Sequence, residues 1–210
     1  MPDSRPRTVL LTGFEPFGGE TVNPSWLAVE AVARNWNGPE TVIAVQLPVV
    51  FDDTIDRVIA EHRPDLVVSV GQAGGCATVE LERVAINVQD ARIPDNAGAQ
   101  PVDEPVIAGG PAAHFSSLPI KAAVAAIAAA GIPASVSQSA GTYTCNHVFY
   151  RLRHLGQHGG FVHVPYSTEQ LDGRDAPSLP QEVITEAVRI AVRTALDVTT
   201  DLKVTGGALA

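Results

Sequence analysis

The chain has 210 residues, of which 45% are hydrophobic and 18% charged, a composition typical of one folded domain rather than a disordered chain. Its 14 basic and 23 acidic residues give a formal net charge of −9, which argues against a nucleic-acid or anionic-membrane partner. The two cysteines are far apart and form neither a disulfide framework nor a CxxC zinc pattern. We expect a soluble, cytoplasmic protein with one domain over residues 1–210 and frayed tails at 1–6 and 201–210.

Short apolar runs alternate with helical patterns along the chain, and this alternation predicts an α/β domain. The predicted strands are residues 8–12, 41–47, 66–70, 79–88, 134–138 and 160–165. The predicted helices begin at the Asn23-Pro24 cap, at Asp52 or Asp53, at Pro119, at the turn that holds Cys145, and at Gln181. The third strand is continuously apolar, as is typical of a sheet covered on both faces.

The strand pattern at residues 79–88 changes phase near Glu82-Arg83, because its apolar residues move from odd to even positions. The change predicts a bulge or bend, a feature that often redirects side chains beside active sites. For a glutamate taken alone, however, an exposed surface carboxylate is the commoner explanation. The turn-rich stretch from residue 90 to about 110 then predicts a long loop, and such loops are usually functional or mobile.

Cys145 is the first candidate for a reactive group. It falls where a helix should begin, so unpaired backbone N–H groups and the helix dipole favour the thiolate form. A thiolate is a strong nucleophile. The alternative is a buried structural cysteine, which behaves as a small hydrophobic residue.

A cysteine hydrolase also needs a histidine and a group that orients it. His163 is the best candidate, because it lies near the carboxyl end of a buried strand, where ligands bind in open α/β sheets. His147 follows Cys145 by two residues and should point away from it. Glu82 or Asp90 would orient His163, and spacing alone does not choose between them. The other histidines lie in a loop or at polar helix ends: His62, His114, His154 and His158.

Glycine-rich loops follow two predicted strands, at residues 13–19 and 71–75. The first loop lacks the Lys-Ser/Thr pair of a P-loop and the spacing of a GxGxxG motif. Phe14 and Phe17 are unsuitable neighbours for a phosphate but suitable walls for a small apolar or amide-bearing ligand. An equally good interpretation is that both rings simply cover the end of the sheet.

Four ordered motifs extend over nearly the whole chain. They are Thr-Gly-Phe-Glu-Pro-Phe-Gly-Gly (12–19) with Asn23-Pro24, Glu-Arg-Val-Ala-Ile-Asn (82–87) running into Asp-Ala-Arg-Ile-Pro-Asp-Asn (90–96), Ala-Gly-Thr-Tyr-Thr-Cys-Asn-His (140–147) and Phe-Val-His-Val-Pro-Tyr (161–166). Through these motifs the chain resembles the pyroglutamyl peptidase I, or pyrrolidone-carboxylate peptidase, family of cysteine peptidases. The resemblance implies a catalytic triad of Glu82, Cys145 and His163, and so selects Glu82 over Asp90. It also implies removal of an N-terminal pyroglutamyl residue from peptides, without metal or organic cofactor.

The same resemblance implies a three-layer α/β/α sandwich with a mostly parallel, mixed sheet, often assembled as a homotetramer. It implies a lactam pocket, with Arg92 near the oxyanion, although an arginine taken alone is by default solvated. Thr144 is more polar than the residue expected there, and Cys76 is an additional, non-catalytic cysteine. The implied substrate-binding residues are Phe14, Phe17, Asn23, Gln72, Arg92, Tyr143 and Thr144.

Two other functions are compatible with parts of this pattern. One is a cysteine amidase on the same scaffold that acts on a different small acyl group. The other is a non-catalytic binder of a small molecule, such as a nucleotide at the loops beginning at Gly13 or Gly71, although a binder has no need for all three triad positions. A zinc enzyme is disfavoured, because Cys76, Cys145 and His147 match no usual ligand spacing.

Overall fold

The structure is a computed structural model that describes residues 6–208. The strands are β1 (Thr8–Phe14), β2 (Thr41–Leu47), β3 (Leu66–Gln72), β4 (Val79–Glu82), β5 (Val84–Ile86), β6 (Ala113–Phe115), β7 (Ala134–Ser137), β8 (Gly159–Val164), β9 (Tyr166–Ser167) and β10 (Ser178–Leu179). The α-helices are α1 (Pro24–Arg34), α2 (Thr54–His62), α3 (Ile120–Ala129), α4 (Thr144–His154) and α5 (Gln181–Asp197), and Thr168–Gln170 forms a 3-10 turn.

Within the described residues, the central sheet has six strands in the order β2-β1-β3-β8-β4-β7. Strands β2, β1, β3 and β8 are parallel, whereas β4 is antiparallel to β8 and parallel to β7. Aliphatic side chains on one face of the sheet pack against α1, α3 and α5, and those on the other face pack against α2 and α4. The predicted three-layer α/β/α sandwich with a mixed, mostly parallel sheet is confirmed.

The start of α1 is fixed by its cap, as the sequence predicts. The side-chain oxygen of Asn23 accepts a hydrogen bond from the backbone N–H of Ser25 at 3.1 Å, and Pro24 occupies the first helical position. The sequence predicts that α2 begins at Asp52 or Asp53, and in the structure both residues contribute to its start. Asp53 occupies the cap position but its side chain makes no capping hydrogen bond; the backbone N–H of Thr54 donates instead to Asp52 Oδ1 at 2.8 Å.

The phase change predicted near Glu82-Arg83 is a change of sheet rather than a bulge within one strand. Strand β4 belongs to the central sheet, whereas β5 pairs with β6 in a separate two-stranded sheet. The chain bends at Arg83, whose backbone N–H donates to the Ser137 carbonyl at 3.0 Å. Glu82 therefore ends β4 inside the protein, fully buried, and its interpretation as a surface carboxylate is wrong.

The long loop predicted after residue 90 is tied to the body of the protein. Gln89 and Glu104 exchange two backbone hydrogen bonds that close its base. Farther along, the side chain of Asn96 donates to Glu15 Oε1 at 2.7 Å and to the Pro16 carbonyl at 3.0 Å. These bonds join the long loop to the loop that follows β1.

The segment from residue 201 to 206, expected to fray, is held by hydrogen bonds instead. Asp201 accepts hydrogen bonds from the backbone N–H groups of Lys121 and Ala122, at the start of α3. The carbonyl of Gly206 accepts a hydrogen bond from Arg83 at 2.9 Å. Residues 1–5 and 209–210 of the predicted frayed ends lie outside the described residues. Among the helices of the described chain, none has the length and apolar character needed to cross a membrane.

Candidate active site

A cavity of about 290 Å³ lies where three parallel strands end. Phe14 ends β1, Gln72 ends β3, and His163 is the penultimate residue of β8. The start of α4 closes the cavity from the side of the sheet that packs against α2 and α4. Side chains from distant parts of the sequence therefore meet at the carboxyl edge of the sheet, where α/β proteins bind ligands.

Cys145 is the second residue of α4 and lines this cavity. Tyr143, at the cap position, makes no side-chain capping bond, so it does not occupy the backbone N–H groups of the first turn. Gly71 makes room for the sulfur, because a Cβ placed on it would lie 2.7 Å from Cys145 Sγ. The sulfur thus sits against the β3 backbone, beside N–H groups that can bind an anion.

His163 and Glu82 form a buried pair in the same cavity. His163 Nδ1 lies 2.7 Å from Glu82 Oε1, and their side chains are 9% and 0% exposed. Burial alone would lower the pKa of His163. The negative charge and hydrogen bond of Cys145, followed by those of Glu82, outweigh burial and raise this pKa to about 10. These surroundings therefore favour the protonated, imidazolium form of His163.

The partner of His163 is Glu82 and not Asp90, the other candidate from the sequence. Asp90 is exposed, and its backbone carbonyl accepts a hydrogen bond from the Thr142 hydroxyl at 2.7 Å. Glu82 Oε2 has no hydrogen-bond partner among the described residues. A buried carboxylate oxygen without a partner is costly, and the adjacent imidazolium charge offsets part of that cost.

Six of the seven predicted substrate-binding residues line the cavity, and one does not. The six are Phe14, Phe17, Asn23, Gln72, Tyr143 and Thr144. Arg92 is exposed and lines a neighbouring cavity together with Ile93 and Tyr143. The structure thus does not place Arg92 beside Cys145, since its loop is anchored elsewhere, through Asn96 and Asp95.

The aromatic residues of the first loop form one wall of the cavity. Phe14 is buried, with its ring centroid 6.3 Å from that of Phe161. Phe17 packs against Tyr143 with a centroid separation of 6.2 Å. Asn23 supports this wall, because its side-chain nitrogen donates to the Glu15 carbonyl at 3.0 Å. The wall is therefore apolar and held in place by the cap of α1.

Glu80 also lines the cavity, and the sequence interpretation missed it. It precedes Glu82 by two residues on β4, so both side chains project from the same face, and it lies directly opposite His163 in the strand pairing. Burial, followed by the negative charge of Glu82, raises the pKa of Glu80. The sequence did hold a sign of this position: on a strand, a residue two positions from Glu82 faces the same side of the sheet.

Three other histidines have structural partners away from Cys145. His147 is buried between the Gln89 side chain and the Asp52 carbonyl, at 2.6 Å and 2.7 Å, so it points away from the cavity as predicted. His114 and His154 contact each other, with ring nitrogens 3.3 Å apart. Across residues 6–208, no three His, Cys, Asp or Glu side chains cluster closely enough to hold a metal ion.

A cysteine at a helix start, a histidine beside it and a buried glutamate behind the histidine are the groups that define a cysteine hydrolase. Here they meet at the carboxyl edge of an α/β/α sandwich. Fold and site together therefore indicate a cysteine peptidase or amidase.

Comparison with known proteins narrows this class. A family model described as pyroglutamyl peptidase matches residues 7–198. A pyrrolidone-carboxylate peptidase from Clavibacter michiganensis subsp. michiganensis is 58% identical, over 96% of this chain and 99% of the relative. One from Cupriavidus necator is 55% identical, over 97% of this chain and 99% of the relative.

The solved structures that superpose on this chain include members of the same family. Pyroglutamyl peptidase I from Bacillus amyloliquefaciens superposes with a TM-score of 0.90 and 47% identity, over 96% of this chain and 100% of that chain. Pyrrolidone carboxyl peptidase from Thermococcus litoralis gives a TM-score of 0.86 and 37% identity, over 91% of this chain and 94% of that chain. The chain belongs to the pyroglutamyl peptidase family, so the resemblance inferred from its four motifs is confirmed.

Proposed function

We propose that this enzyme hydrolyses the amide bond after an N-terminal pyroglutamyl residue of peptides, with Cys145, His163 and Glu82 as its catalytic triad. The observation that supports this most is the buried His163–Glu82 pair, 2.7 Å apart, in the cavity that Cys145 lines. Glu82 orients the imidazole through Nδ1, which leaves Nε2 to exchange a proton with the reacting groups.

The reaction has two steps. The Cys145 thiolate attacks the pyroglutamyl carbonyl carbon, and free backbone N–H groups at the start of α4 stabilise the oxyanion that forms. The C–N bond then breaks as the His163 imidazolium gives its proton to the leaving amine. Neutral His163 next takes a proton from water, whose oxygen attacks the thioester. This attack releases pyroglutamate and restores the thiolate–imidazolium pair.

The cavity suits a neutral five-membered lactam. The pyroglutamyl α-nitrogen is acylated and uncharged, so no carboxylate is needed to pair with it. Phe14 and Phe17 supply apolar walls on the β1 side, and the Gln72 amide supplies polar contact at the end of β3. Glu80 lies on β4, which is separated from β1 by β3 and β8. Its side chain is therefore on the opposite side of the cavity from these walls, next to His163.

Substrate selectivity tests the proposal. Release of a fluorescent amine is expected from the pyroglutamyl amide and not from the matched prolyl or glutamyl amide. The prolyl ring lacks the lactam carbonyl, and the glutamyl group carries charges that the aromatic wall does not match. Equal turnover of the three amides, or turnover of a different acyl amide alone, would contradict the assignment to pyroglutamate.

The alkaline limb of kcat/KM tests the role of the buried pair. Because the folded state raises the pKa of His163, its proton stabilises the fold fully below pH 6.5, and this contribution is lost as the pH rises to about 10. We expect wild-type activity to fall as the pH approaches 10. Glu82→Gln removes a negative charge that stabilises the His163 imidazolium, so the alkaline fall in activity should shift to lower pH by about one unit or more.

The measurement is kcat/KM for the pyroglutamyl amide from pH 6 to pH 11, for the wild type and for Glu82→Gln. Circular dichroism at each pH restricts the comparison to folded protein. An unchanged alkaline limb in Glu82→Gln would show that Glu82 does not hold the proton on His163.

The proposal includes a cellular setting and an assembly. Cys76 and Cys145 are both unpaired in the described chain, which suits the reducing cytoplasm, where we place the enzyme. A homotetramer is proposed from the family resemblance alone. Size-exclusion chromatography with light scattering measures its mass directly.

A further inference from the structure

The Gln72 side chain brings an amide to the cavity, and an amide can present either donors or an acceptor. In this structure Gln72 Oε1 accepts a hydrogen bond at 3.1 Å from the Nε2 of Gln170, a residue that does not line the cavity. Within residues 6–208, Gln72 Nε2 has no protein acceptor, although the residue is only 8% exposed. The cavity therefore faces N–H donors that lack a partner.

The orientation of Gln170 decides the orientation of Gln72. Ser167 caps the 3-10 turn, and Gln170 is the last residue of that turn; the two residues form a capping box. The backbone N–H of Ser167 donates to Gln170 Oε1 at 2.9 Å. A backbone N–H can only donate, so the Gln170 oxygen must face Ser167 and the Gln170 nitrogen must face Gln72.

Glu20, which is charged, favours the same orientation of the Gln170 amide, with its nitrogen toward Gln72. Glu20 Oε2 lies 3.4 Å from Gln170 Nε2. Arg174 binds both oxygens of Glu20, at 2.6 Å and 2.8 Å, and this hydrogen bonding holds the pKa of Glu20 below its ordinary value. Glu20 is thus an ionised acceptor at neutral pH and cannot donate to an inverted Gln170.

We propose that Gln170 is a positioning residue for substrate recognition: it locks the Gln72 amide with its N–H donors toward the cavity, so that the site selects a ring bearing a carbonyl oxygen. This inference rests on the proposed pyroglutamyl specificity, and it names the group that imposes it. A lactam carbonyl accepts the free Gln72 N–H, whereas a pyrrolidine ring that fills the cavity leaves that donor unpaired.

Two substitutions separate orientation from packing. In Gln170→Glu the side chain keeps its shape, and its ionised form cannot donate to Gln72, so Gln72 turns its nitrogen away and presents its oxygen to the lactam carbonyl. In Gln170→Met no group holds Gln72 in either orientation, and its nitrogen remains free to turn toward the ligand. A merely structural role would make Gln170→Met the more harmful change, because it leaves the Ser167 N–H without its partner.

Binding is measured without turnover, as protection of Cys145 from iodoacetamide by 2-pyrrolidone, the bare lactam ring. We expect half-protection of Gln170→Glu to need on the order of ten-fold more 2-pyrrolidone than the wild type, with Gln170→Met between them. The alkylation rate without 2-pyrrolidone should be the same in all three proteins. Gln157→Glu is the matched control, since the Gln157 nitrogen donates to the Pro64 carbonyl, away from the cavity.

Wild-type half-protection in Gln170→Glu, or a loss in Gln170→Met as large as that in Gln170→Glu, would overturn the proposal. So would a wild type that 2-pyrrolidone does not protect. Turnover of the pyroglutamyl amide, measured separately on the wild type, reports on the proposed function independently of this result.

Discussion

Cys145→Ser is expected to lower kcat/KM for the pyroglutamyl amide by about 10⁴-fold or more, since members of a catalytic triad act as a unit. A serine hydroxyl does not ionise at neutral pH, so it forms no anion to pair with the His163 imidazolium. The substitution changes one atom at the start of α4, and the fold should persist. The measurement is amine release by the purified variant, alongside its thermal unfolding curve.

Cys76→Ser is the matched control for that change. The Cys76 sulfur lies 3.7 Å from the Ala73 carbonyl and 3.8 Å from the Thr78 carbonyl, in the loop between β3 and β4. A serine there keeps a hydroxyl donor for the same carbonyls, so activity should stay near that of the wild type. Full activity in Cys145→Ser, or its loss in Cys76→Ser alone, would show that the nucleophile has been misassigned.

Gly71→Ala is expected to reduce kcat/KM by about 10²-fold, although no reacting group is removed. The new Cβ would lie 2.7 Å from Cys145 Sγ and 2.8 Å from Phe161 Cζ, closer than real Cβ atoms approach their neighbours. The sulfur must therefore move, and a displacement of about 1 Å can cost on the order of 10²-fold in rate. Crowding should also reduce the free energy of unfolding by about 1–3 kcal/mol.

Gly160→Ala separates the loss of rate from the loss of stability. Gly160 lies on β8, and a Cβ added there would meet the Ser116 and Leu118 side chains and not Cys145. We expect Gly160→Ala to lose stability in urea unfolding and to keep the wild-type kcat when folded. If both variants lose kcat equally, the close approach of Gly71 to the sulfur has no special role.

The layers of the fold were predictable because each element carries a local signal. The Asn23-Pro24 cap, the apolar run of β3 and the 181–197 helix are all read from neighbouring residues, and the structure has them. The departure of the chain from the sheet at Arg83 appeared in the sequence only as a phase change. A bulge and a change of sheet give the same local pattern, and only long-range pairing distinguishes them.

The residues of the cavity could be predicted where they lie in recognisable sequence motifs. Cys145, His163 and Glu82 come from separate motifs, and the structure brings them together. Arg92 was expected in the site, but the anchoring of its loop places it outside the cavity, and no local pattern records that anchoring. The bond between Gln170 and Gln72 joins residues 98 positions apart, and the sequence carries no sign of it.

Stepwise alkylation with iodoacetamide tests directly whether Cys145 is the nucleophile, when turnover of the pyroglutamyl amide and the extent of labelling at each cysteine are measured in the same samples. With Cys145 as the nucleophile, activity should fall in proportion to labelling of Cys145 and be independent of labelling of Cys76. Substantial turnover in protein fully alkylated at Cys145 would contradict it.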